Sequence, residues 1–97
     1  MWIIDEDHLF NHYRGDGDVS KEGKRSHDFN YKTFVESKQV KFKLYDDDDV
    51  IYFSGRMTEE RFNGHEGECF DPLDWAMDYA GCTYLEYERE DGTWEIL

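Results

Sequence analysis

Val40 to Arg56 reads VKFKLYDDDDVIYFSGR. Val40, Phe42 and Leu44 alternate with Lys41, Lys43 and Tyr45, the period of two expected of a strand with one face buried and the other in water. After four aspartates the apolar pattern resumes from Val50, with Tyr52 directed opposite to Ile51 and Phe53. Two such runs joined by Asp46, Asp47, Asp48 and Asp49 predict an antiparallel hairpin. Aspartates suit the bend because their short side chains bond nearby backbone groups and tolerate turn conformations.

Downstream, Gly64 and Gly67 mark a loop, and a helix is expected from Asp71 to Ala80. Asp71 supplies the N-cap, Pro72 the preset first position, and Gly81 the stop. At about 100° per residue, Leu73, Ala76, Met77 and Ala80 share a face directed at the core. Asp71, Asp74 and Asp78 share the opposite face, with Trp75 and Tyr79 between the two. Cys82 to Arg89 alternates again, Asp91-Gly92 makes a hairpin turn, and Thr93 to Leu97 returns as the last strand. Toward the N-terminus, Met1 to Ile4 is an apolar run able to start a fifth strand, while Asp5 to Tyr13 fits a helix and an irregular chain equally. Phe29, Tyr31, Phe34 and Val35 fit neither period, and residues 14–28, RGDGDVSKEGKRSHD, read as a mobile loop. The expected architecture is one α+β domain over residues 1–97. Its antiparallel sheet has four to five strands in the order β-β-α-β-β, with one helix, about 71–80, packed on a face.

Apolar residues make up 38% of the chain and aromatic ones 18%, so the core must be built from few, large rings. No apolar run is long enough for a membrane span or a leader, and Cys69 and Cys82 are too few for a disulfide framework. The expectation is a cytoplasmic chain with both thiols reduced. Charge is distributed unevenly. Residues 1–45 carry eight acidic and eight basic side chains, whereas residues 46–97 carry sixteen acidic ones against Arg56, Arg61 and Arg89, which accounts for the whole net charge of -13. Concentration of that kind implies a surface built to be negative and a partner that is basic.

Metal and catalytic chemistry are disfavoured. His8 with His12 and His65 with Cys69 have i, i+4 spacing, but there is no HExxH motif and no CxxC pair. Asp46 to Asp49 lacks the glycine and the glutamate of a calcium loop. Nucleophile elbows, cysteine-histidine signatures and phosphate-cradling glycine loops are missing from the sequence, so neither an enzyme nor a cofactor is expected. The acidic rows remain. Asp71, Asp74 and Asp78 recur at rises of about 4.5 and 6 Å along a helix, and Glu86 and Glu88 project from one strand face about 7 Å apart. DNA carries one charge per roughly 3.4 Å of axis per strand, a comparable scale. The candidate partner-binding residues are therefore Asp46 to Asp49, Asp71, Asp74, Asp78, Glu86 and Glu88, with Trp75 and Tyr79 as aromatic anchors. Against this stands the plainer account of a solvated acidic face and of rings that complete the core.

The segments FKLYDDDDVIYFSGR (42–56), FDPLDWAMDYAGCTYLEY (70–87) and GTWEIL (92–97) resemble small bacterial and phage proteins that share a DDD turn, a PLD segment, an AGCT stretch and a terminal GxWxxL. That resemblance implies no activity and no site residue. In composition and size the chain is similar to acidic DNA-mimic inhibitors, including anti-CRISPR and anti-restriction proteins. The similarity implies a non-enzymatic, phage-type inhibitor of a basic nucleic-acid-binding protein, itself binding neither nucleic acid nor membrane. The alternative expectation is a protein-interaction module that uses an aromatic patch around Trp75 and Tyr79.

Overall fold

In the computed structural model, which describes residues 1–8, 25–64 and 67–97, the aspartate-linked hairpin forms as expected and lies at the centre of the sheet. The strands are β1 (Trp2–Asp7), β2 (Gln39–Tyr45), β3 (Ile51–Thr58), β4 (Tyr84–Glu88) and β5 (Trp94–Ile96). They pair antiparallel in the order β1-β3-β2-β4-β5. The fold is α+β. Helices α1 (Tyr31–Glu36), α2 (Glu59–Phe62) and α3 (Asp71–Ala80) accompany it, with a 3-10 turn at Glu68–Phe70. The chain thus has a fifth strand and more helical segments than the simple β-β-α-β-β order. Helix α1, capped by Asn30 accepting from the Thr33 N–H at 3.1 Å, is six residues long, less than two turns and too short to show a 3.6-residue period. Of the expected loop, Arg25 bridges to Ile3 and the Ser26 hydroxyl accepts from the Trp2 N–H at 3.0 Å; residues 14–24 lie outside the described residues.

Alternation places Phe42, Leu44, Phe53, Met57 and Leu85 on one sheet face, where they join Trp2, Ile4, Leu73, Ala76 and Cys82 in the core. Each large side chain buried in this way contributes roughly 1.5–3 kcal/mol. The opposite face is covered in part by α1. Phe34 is fully buried outside the main cluster, with the Arg56 guanidinium 5.3 Å from its ring centroid and Phe29 at 5.0 Å. Arg56 alternates with the core-facing Gly55 and Met57, so α1 sits across the sheet from α3.

Two features of α3 differ from the sequence expectation. Asp71 is not the cap: the 3-10 turn runs straight into the helix, so Asp71 already has helical φ −51° and ψ −45°, and the cap position falls to Phe70 without a side-chain bond. A capping side chain needs extended backbone at its own residue, which Asp71 lacks. Met77 is not in the core either, being 47% exposed. The buried face is Pro72, Leu73 and Ala76, centred roughly 50° round from the expected stripe at ~100° per residue. The cause is Trp75, whose ring packs on Phe53 at 4.9 Å and Trp2 at 5.8 Å and so turns the helix toward its own side. Gly81 closes the helix as expected, in the left-handed region at φ 79°.

Gly55, in the middle of β3, is required by close approach. A Cβ there would lie 2.2 Å from the Ile3 carbonyl oxygen and 2.9 Å from the Phe42 ring. β1 can pair with β3 beneath the Phe42 ring only because that atom is missing.

Two outcomes follow for stability. Gly55→Ala should lower the unfolding free energy by about 1–3 kcal/mol, the cost of overpacking, read from a denaturant midpoint. Met77→Asp should keep a cooperative melt within about 0.5 kcal/mol of wild type, as an exposed site does, whereas Ala76→Asp buries an uncompensated charge and should abolish the melt.

Candidate acidic interface

Asp46 builds the hairpin bend and does not project from it. Its carboxylate accepts from the Asp48 N–H at 2.8 Å and the Val50 N–H at 3.0 Å. These bonds, that from Val50 foremost, hold its pKa below the ordinary carboxyl value. Asp47 and Asp48 occupy the exposed tip. Asp49 adopts a left-handed φ of 61° and accepts from the Tyr84 hydroxyl at 2.6 Å.

Tyr84 stacks on Tyr45 with centroids 4.9 Å apart and planes 6° from parallel, and the Tyr45 hydroxyl donates to Glu86 at 3.0 Å. Burial and then the Glu86 bond push the Tyr45 phenol up to about 12, and the Asp49 bond does the same to Tyr84. This tyrosine pair lies on the face of the sheet away from α3, because its neighbour Leu85 points into the core. Glu86 shares that face, opposite Lys43 in register, while Glu88 lies opposite Trp94. The Lys43 ammonium in turn sits 4.0 Å from the Trp94 ring centroid. The surface around Glu86 and Glu88 is therefore mixed in charge and aromatic. It is separated by the sheet from the carboxylates of α3, so the candidate residues form two surfaces and not one.

On α3, Asp71 is bound to Arg61, which also pairs with Asp28 at 3.1 Å and Glu68 at 3.5 Å. Burial would raise the Asp28 carboxyl, but bonds from Ser26 and Arg61 and the charge of the N-terminal amine outweigh it and hold its pKa low. Arg61 is the organising residue that the sequence pattern did not single out; the one signal for it is a lone cation among carboxylates between Arg56 and Arg89. Asp74 and Asp78 are exposed and form no ion pair among the described residues. Trp75 is largely spent on Trp2 and Phe53, while Tyr79 stacks on it at 5.2 Å and remains 46% exposed beside Met77. The Thr83 N–H donates to the Tyr45 carbonyl at 2.8 Å, which brings the end of α3 next to the aspartate turn. Asp78 and the tip carboxylates thus lie toward one end of the molecule. Buried Cys82 is there too, its thiol raised to about 12 by burial first and by the charge of Asp46 second. Both Cys69 and Cys82 are free thiols.

All three arginines of the acidic half are taken up: Arg56 by Asp5 in a two-pronged bond at 2.8 and 2.9 Å, Arg61 by its three carboxylates, and Arg89 by Glu95. Among the described residues no three His, Cys, Asp or Glu side chains are placed to hold a metal ion; His12 and His65 lie outside the described residues. Nor is any described helix long and apolar enough to cross a membrane. Compared with protein-family models, curated proteins and solved structures, the chain matches none.

Alkaline titration should expose the tyrosine pair. A phenol whose folded pKa is raised contributes stability that is complete below the ordinary value of 10 and is lost as pH climbs through about 12. Tyrosinate absorbance should show Tyr45 and Tyr84 titrating late, with a falling melting temperature over the same window. In Tyr45→Phe/Tyr84→Phe the late amplitude should fall by the two phenols removed.

Proposed function

We propose that this chain is a non-enzymatic inhibitor that occupies the nucleic-acid site of a basic partner protein, in the manner of acidic anti-CRISPR and anti-restriction proteins. The observation that carries this reading is the fate of the cations. With Arg56, Arg61 and Arg89 all committed to carboxylates, Asp74 and Asp78 stand open one helical turn apart on α3, and Asp47 and Asp48 stand open at the nearby bend. A separation of about 6 Å along a rigid helix spans roughly two charges of a nucleic-acid strand, so lysines and arginines spaced for phosphate can meet these carboxylates. The same field repels nucleic acid from the chain itself. Exposed Tyr79 and Met77 beside Asp78 favour a second reading, in which an apolar and aromatic contact leads and charge only steers.

Salt and charge variants separate the two readings. A partner captured from the host should lose DNA or RNA as this protein is added. Asp74→Asn/Asp78→Asn should weaken the complex roughly three- to tenfold at low salt, from ~0.2–1 kcal/mol per exposed pair, with an unchanged melt. The deficit should shrink at high salt as screening sets in. A partner that holds nucleic acid and this protein together without mutual weakening excludes the first reading. Stronger loss from Tyr79→Ala, insensitive to salt, establishes the second.

A further inference from the structure

A separate cleft of about 360 Å³ opens at the other end of the sheet, between α2 and the β4–β5 hairpin. Its floor is apolar: Val40 lies beside Phe62 and Tyr87, whose rings pack with centroids 4.8 Å apart at 52°. Its rim carries Glu59 from α2 and Glu90 and Glu95 from the hairpin. Glu95 is already satisfied, accepting from the Tyr87 hydroxyl at 3.0 Å and bound to Arg89, the one cation among the described residues that line the cleft. Glu59 and Glu90 form no ion pair among the described residues.

An apolar aromatic floor beneath a negative rim suits a cation with a flat or aliphatic body and a charged end. A neutral apolar group would leave the rim uncompensated, and a small hydrated ion would leave the rings unused. Guanidinium fits best, since it is planar, stacks on aromatic faces and is held by carboxylates through directed N–H bonds. The volume falls within the range of side-chain and small-ligand sites. We infer that this cleft receives an arginine side chain of the partner protein, with the guanidinium over Phe62 and Tyr87 and between Glu59 and Glu90. The inference rests on the preceding reading only for the source of that arginine. It adds a directional contact, made by residues other than Asp74 and Asp78, to recognition that otherwise reads charge alone.

The test uses the intact chain and no partner. N-acetyl-arginine amide is titrated while the Phe62 and Tyr87 ring signals are followed by NMR, with N-acetyl-citrulline amide as the neutral isostere. Arginine should produce saturable shifts of both rings and citrulline none. Glu59→Gln/Glu90→Gln should bind arginine roughly three- to tenfold more weakly, whereas Asp74→Asn/Asp78→Asn should match wild type. Equal shifts from citrulline, or unaltered binding in the Glu59/Glu90 variant, would overturn the assignment. If arginine binds in the cleft as described but nucleic acid is not displaced from the partner, the cleft stands and only the competition reading falls.

Discussion

The packing of Trp75 between Trp2 and Phe53 is the contact on which the remainder of the molecule depends. A chain with so few apolar residues can close a core only if its large rings meet, and these three come from α3, β1 and β3. For Trp2 to arrive, β1 must lie against β3, and that approach is open only because Gly55 has no side chain. Seating Trp75 then rotates α3 so that Ala76 is buried and Met77 emerges. The same rotation determines that Asp74, Met77 and Asp78 face solvent. The buried and exposed faces of α3 are thus two sides of one packing decision.

Charge is organised by subtraction. The N-terminal half is neutral in sum, yet it supplies Asp5 to Arg56 and Asp28 to Arg61, which removes cations from the acidic half. Arg61 gathers three carboxylates, Asp28 from one segment and Glu68 and Asp71 from another. With only part of its side chain in water, this cluster is screened less than a surface pair. Carboxylates that look equivalent in the sequence end with different tasks. Asp46, Asp49, Asp71 and Glu86 hold backbone, tyrosine or arginine groups, and Asp47, Asp48, Asp74 and Asp78 are left facing solvent.

Local chemistry was legible. Strict alternation in 40–44, the aspartate bend, Gly81 at the end of α3 and the Asp91-Gly92 turn each depend on residues within a few positions of one another, and each formed where the sequence places it. Asp71 misled because capping is decided by backbone conformation, and the 3-10 turn ahead of it is not marked by a periodic pattern. Glu86 and Glu88 share a strand face, as the alternation predicts, and the sheet separates that face from the carboxylates of α3.

The sequence alone therefore determined the α+β class, the central hairpin, the main helix and the concentration of charge, since these follow from propensities and periods that act over two to four residues. Only the tertiary structure decided the strand order, the rotation of α3 and which carboxylates remain open. Those depend on contacts such as Arg56 with Asp5, 51 positions apart, and Arg61 with Asp28, 33 apart. No local pattern encodes such partners, because they are chosen by which rings can share one small core.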